Sequence, residues 1–157
     1  MVTGAEFAAN LQIERAAAKA LAEILQAEQD ALIEGRIERL EALAPDKAHR
    51  VRQLAELAAQ RNRSLAARSL SPDIKGMQAW LAEDDAGAKA ASAWRDLLQL
   101  AQTAQQLNRT NGEIIALRLK HNQQALAALQ SAAGATSLYG PHGQTLGFSR
   151  GRALGQV

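Results

Sequence analysis

Apolar side chains return at alternating intervals of three and four through most of this chain, and no run of β-branched residues reaches the length of a strand. That rhythm is one face of a helix, repeated, and it leaves little room for a sheet. Composition narrows the choice further. Apolar residues make up 47% of the chain, much of it alanine, and aromatics only 3%, so large core anchors are few and helices have to pack closely. A length of 157 residues suits one domain with a serviceable core. The expected fold is all-α: an antiparallel bundle of three long helices plus a short helix over residues 1–133, followed by a flexible Gly-rich C-terminal tail over residues 134–157.

The first period runs from Thr3 to Glu34. Phe7, Leu11, Ala18, Leu21, Leu25 and Leu32 fall on one stripe, and Ile13, Ala17 and Ile24 widen it. Glu14 and Glu28 break the seam, which argues against a perfect two-stranded zipper. Gly35 stands where a left-handed helix stop belongs. A second period follows at once through Ile37, Leu40, Ala44, Val51, Leu54, Ala58 and Leu65. Two arms of ~45–50 Å about a short turn predict an antiparallel hairpin. Pro45 lies inside the second arm, where it would free a carbonyl one turn back and bend the helix. A rival reading starts the second helix at Pro45; matched arm lengths favour the turn at Gly35.

Ser71-Pro72-Asp73 predicts a helix start, with Ser71 as cap and Pro72 in the first position. The short helix then carries Ile74, Met77, Trp80 and Leu81. Glu83-Asp84-Asp85 closes it and sets negative charge at the amino end of the last helix. That helix is expected from about Ala88 to Gln130, opening with Trp94, Leu97, Leu98, Ala101 and Ala104. Asn111-Gly112 is normally a turn signal. Here Leu100, Leu107 and Ile114 recur every seven residues across it, so the helix is read as continuous, with a glycine costing ~1 kcal/mol relative to alanine. Such a cost suggests close approach by a neighbour or a place where the helix moves. Asn108 and Asn111 on the apolar stripe allow two readings, a buried polar clamp or a recognition patch, and physics slightly favours the clamp.

The tail holds six of the eleven glycines and one of the three prolines, yet Leu138, Tyr139, Leu146, Phe148 and Leu154 punctuate it. Spaced apolar anchors on a flexible chain suit folding onto a partner; a frayed terminus without a role is the plainer alternative. From Ser131 onward there are Arg150 and Arg152 and no acid, so the preceding body carries 16 basic and 16 acidic side chains. A balanced body argues against a nucleic-acid partner. Glu6, Glu14 and Arg15 interrupt any secretory signal, and no stretch is apolar enough for membrane insertion, so a cytoplasmic protein is expected.

Chemistry is hard to find. There is no cysteine for a disulfide or a thiolate metal site. His49, His121 and His142 lie on separate elements, and His121 has no second ligand at helical spacing. Gly140-Pro141-His142-Gly143 lacks the lysine of a phosphate loop, and Ser149 has no adjacent base. Trp80 and Trp94 flank an acidic run, which favours core packing over base stacking. No catalytic residue, metal or cofactor is expected, and the protein is not read as an enzyme.

The N-terminal helical hairpin, with Ala27-Glu28-Gln29-Asp30-Ala31-Leu32-Ile33-Glu34-Gly35 at its bend, is followed in order by Trp94-x-x-Leu97, Asn108-x-x-Asn111-Gly112-x-Ile114-Ile115 and Leu138-Tyr139-Gly140-x-x-Gly143-Gln144. In order and spacing, over nearly the whole chain, these segments resemble the FlgN family of bacterial flagellar type III export chaperones. Pro45 departs from the continuous helix expected there. The resemblance implies a cytoplasmic chaperone that holds the C-terminal helical segments of the hook–filament junction proteins FlgK and FlgL and delivers them to the export apparatus. It implies that Asn108, Asn111, Gly112, Ile114, Ile115 and Leu119 meet cargo. Leu138, Tyr139 and Gly140 would engage the export gate, with the associated ATPase complex as a further partner. A homodimer would follow from apolar stripes left exposed on long helices. The competing function is a structural helical adaptor or coiled-coil oligomer with no export role.

Overall fold

The computed structural model describes residues 2–83 and 86–139. They form four helices and no strand: α1 (Gly4–Glu34), α2 (Ile37–Ala67), α3 (Ile74–Leu81) and α4 (Gly87–Tyr139). The described residues are all-helical, as expected. It divides into two units, Met1–Glu113 and Ile114–Val157.

In the first unit, α1 opens on a reciprocal cap. The Glu6 amide donates to Thr3 Oγ1 at 3.2 Å, and the Thr3 amide donates to Glu6 Oε2 at 2.8 Å. It ends on Gly35, whose φ of 72° lets the Gly35 amide reach the Leu32 carbonyl (3.3 Å) and the Arg36 amide reach Ala31 (2.9 Å). The turn is therefore at Gly35, and α2 continues unbroken through Pro45. At its far end α2 closes the same way, but with Ser69 in the left-handed conformation (φ 60°); its amide donates to Ala66 and that of Leu70 to Leu65. Ion pairs Glu14–Arg61 and Glu28–Lys47 give the hairpin its sense: positions rise along α1 as they fall along α2.

The cap of α3 corrects the sequence expectation. Asp73, not Ser71, is the cap, its Oδ1 accepting from the Gly76 amide at 3.0 Å. Pro72 thus precedes the helix. A Cβ on Gly76 would sit 1.7 Å from the Ser71 carbonyl oxygen, so the Ser71 backbone occupies the space a side chain would need. Asp84 and Asp85 lie outside the described residues.

The core forms where α1, the end of α2, α3 and the start of α4 converge: Phe7, Leu11, Leu65, Met77, Trp80, Ala90, Ala93, Trp94 and Leu97 are all buried. The two tryptophans have separate partners. Trp80 packs on Phe7 with ring centroids 4.2 Å apart, while the Arg61 guanidinium lies over Trp94 at 5.1 Å. Small residues, Ala90 and Ala93, let α4 approach closely. Ile13, Ile37, Ala44 and Val51, read from periodicity as inward, are exposed. Arg15–Asp96 and Leu25–Asn111 contacts show α4 within this unit running in the same direction as α1.

Candidate functional site

Asn111 is 1% exposed. Its Nδ2 donates to the Leu25 carbonyl and to Glu28 Oε1, both at 3.0 Å. Glu28 in turn accepts from Lys47 Nζ at 3.0 and 3.2 Å. One amide thereby joins α4 to α1, and through Glu28 to α2. Its Oδ1 is buried without a hydrogen-bond partner among the described residues. A buried amide is costly unless bonded, and this one spends both donor positions on fixing α4 against the hairpin. The clamp reading of Asn111 describes this geometry; its side chain has no free face.

The neighbours are placed differently. Asn108 is exposed, one turn back. Gly112 is exposed too, and a Cβ built on it meets nothing within 4 Å, so close approach by a neighbour is not what this glycine serves. Ile114 is half-buried. From Ile115 to Gly134 every residue is exposed. Within that run Ile115 (50%), Leu119 (56%), Leu126 (55%) and Leu129 (67%) leave large apolar surface open to water. With Asn122 they step by four, three, four and three along one helix edge, the spacing of a helix-pairing seam; Leu117, also exposed, lies off it. Leu126 and Leu129 were not among the expected site residues. Their signal was present in the sequence, because Leu126 falls seven residues after Leu119 and Leu129 fourteen after Ile115.

Leu138 and Tyr139 are the last residues of α4, which runs beyond Gln130 and past Gly134. Gly140 and the rest of the tail lie outside the described residues. Of the expected cargo residues, Asn108, Asn111 and Gly112 lie in the first unit and Ile114, Ile115 and Leu119 in the second, all within the span of α4.

The first unit has a feature the sequence did not announce. Between α1, α2 and α4 lies a groove of about 350 Å³ lined by Ala18, Leu21, Leu54, Ala58, Leu97 and Ala101, with Glu14 and Arg61 also on its surface. Burial pushes the Glu14 carboxyl up from its ordinary range, and the charge and hydrogen bond of Arg61 pull it back only in part. Among the described residues no group of three or more His, Cys, Asp or Glu side chains could hold a metal ion. Nor, among the described residues, is any helix long and apolar enough to cross a membrane.

Comparison with known proteins bears on what such an arrangement is for. A family model described as FlgN protein matches residues 1–147, nearly the full chain. The chain belongs to the FlgN protein family. Two similar relatives are both called flagella synthesis protein FlgN, one from Yersinia enterocolitica and one from its serotype O:8 / biotype 1B. Each is 41% identical over 66 residues, which is 41% of this chain and 44% of the relative. The match therefore spans less than half the length of these FlgN relatives. No solved structure matches the chain.

Proposed function

We propose that this protein is a cytoplasmic flagellar export chaperone and not an enzyme: it binds the C-terminal helical segments of the hook–filament junction proteins FlgK and FlgL and delivers them to the type III export apparatus. Membership of the FlgN family supports the flagellar setting. The observation that carries the binding role is the exposed seam of α4, with Ile115, Leu119, Leu126 and Leu129 open to water. Soluble chains rarely leave such a row uncovered without a partner to cover it. An amphipathic cargo helix with nowhere to bury its apolar face is the natural complement. The scaffold for this is an antiparallel bundle of the three long helices. Asn108, Gly112, Ile114, Ile115 and Leu119 meet the cargo, while Asn111 acts from behind by holding α4 in register. Leu138 and Tyr139, at the end of α4, engage the export gate together with Gly140, beside its ATPase complex.

The seam also permits a second reading, a homodimer or a purely structural helical adaptor, because helix-pairing seams self-associate. A pull-down from the source cell's cytosol on the immobilised protein, run beside a Tyr139→Ala variant, separates them. Enrichment of a junction protein on both baits, with an export-gate protein on the parent alone, is the expected result. Recovery of nothing but the protein itself would favour the adaptor. Light scattering adds an independent readout: an adaptor forms a fixed oligomer alone, and a chaperone changes stoichiometry with its client.

A further inference from the structure

All 16 acidic side chains of the chain precede Ile114, together with 14 of the 18 basic ones. Met1–Glu113 therefore carries a formal −2, and Ile114–Val157 carries +4 from Arg118, Lys120, Arg150 and Arg152 with no acid at all. The apolar seam of α4 lies wholly in this acid-free unit. In the helix-pairing register set by Ile115, Leu119, Leu126 and Leu129, Arg118 falls on the edge next to Leu119. The remaining edge positions are Ala116, Gln123, Ala125, Gln130 and Ala132, small or neutral side chains that leave room for a partner's flanks and offer no repulsion to acid.

From these observations we infer that the seam selects its partner by charge: it takes an amphipathic helix whose apolar stripe is flanked by Glu and Asp. The inference rests on the chaperone reading above and names the chemistry of the client. Apolar burial supplies attraction without direction, whereas the sign of the flanks sets register and rejects wrong partners. A second copy of this chain would set Arg118 and Lys120 against the same two cations, with no acid in residues 114–139 to answer them, so like charge works against self-pairing through the seam. An anionic lipid surface would be met by a broader apolar face with interfacial aromatics, and residues 114–139 contain no Trp or Phe and only Tyr139 at the end. Asn122, in the middle of the seam, calls for a polar residue opposite it and so adds a register mark.

The test uses the full-length protein and two synthetic helical peptides of four heptads. Both have leucine on the seam and one central Asn; one has Glu on both flanks and the other Lys. Fluorescence anisotropy at 50 mM salt is expected to show the Glu-flanked peptide binding at least tenfold more tightly. The gap should narrow at 500 mM, where exposed charges are screened. Leu119→Ser with Leu126→Ser, both exposed in the free protein, should abolish binding with an unchanged thermal melt. Arg118→Glu with Lys120→Glu should bring the two affinities together or invert their order. Equal binding of both peptides by the parent would overturn the inference while leaving the chaperone reading intact. So would binding to vesicles of anionic lipid in place of either peptide, or a dimer in light scattering that neither peptide dissociates. Conversely, tight binding of the Glu-flanked peptide alongside a pull-down that recovers no flagellar protein would uphold the charge selection and discard the flagellar assignment.

Discussion

Asn111 and Asn108 are one turn apart on the same helix and do opposite things. Asn111→Ala removes a donor shared by the Leu25 carbonyl and Glu28 and leaves a polar void, a loss of about 2–3 kcal/mol. Asn108→Ala touches nothing buried and should stay within about 0.5 kcal/mol. Urea unfolding of the pair checks this, and equal midpoints would remove Asn111 from its role as the clamp. Glu14 makes a separate, pH-dependent prediction. Its carboxyl is raised by burial, so the folded state holds the proton more tightly than the unfolded state does. The stability it contributes is fullest below the ordinary Glu range and is lost as pH rises through that range towards the raised value. Glu6 and Asp73 run the other way. Glu6 is held low by its hydrogen bonds with Thr3, and Asp73 by those from Ser71 and the Gly76 amide, so what they contribute is lost as pH falls. Glu14→Gln should therefore gain stability relative to the parent as pH is raised from ~4 to ~7. Denaturant midpoints across that interval measure it; a parallel offset at every pH would show that Glu14 does not titrate differently on folding.

At the scale of elements, three glycines sit in three different backbone settings, and substitution separates them. Gly112 is helical, exposed and open on its Cβ side, so Gly112→Ala should stabilise the chain by about 1 kcal/mol. Gly76→Ala should destabilise it, by about 1–3 kcal/mol, because the methyl would have to displace the Ser71 backbone. Gly35 supplies the left-handed stop of α1, a position that Ser69 fills for α2 at a steric cost, so Ser69→Gly should raise the melting temperature. These cases also show what was readable beforehand. The stop at Gly35 was legible because a glycine ended a period and another period began. The unbroken passage through Asn111-Gly112 was legible because Leu100, Leu107 and Ile114 kept their interval across it. The cap of α3 was misplaced because Ser71 and Asp73 are equally good cap residues in sequence. Asp73 is the one whose side chain meets the Gly76 amide, while the Ser71 backbone folds back against Gly76, a close local approach that cap preference alone does not encode. Ile37 and Val51 were assigned inward because periodicity names a face and not its neighbour. The burial of Asn111 and the exposure of Leu126 and Leu129 needed information that periodicity does not carry: which turns of a helix have a neighbour.

For the molecule as a whole, every buried residue among those described lies at or before Asn111, while α4 continues to Tyr139. Burial is thus confined to one stretch of chain, and the proposed recognition falls on another. Residues 1–113 hold the caps, the ion pairs across the hairpin and the aromatic core. Residues 114–134 add helix with no buried side chain. A lone helix of that length is marginal in water, since nucleation is costly and tertiary burial supplies most helical stability in proteins. It follows that a chain ending after Glu113 should unfold cooperatively, with a midpoint within about 5 °C of the parent. It should lose binding of the Glu-flanked peptide altogether. A peptide of residues 114–157 alone should show little helix by circular dichroism at 25 °C and gain it on adding that same partner, as expected when ordering is coupled to association. Circular dichroism melts of the two pieces decide the matter. Were the shortened chain to lose its cooperative transition, the second half of α4 would belong to the fold and not to recognition. Its exposed leucines would then need a structural explanation in place of a client.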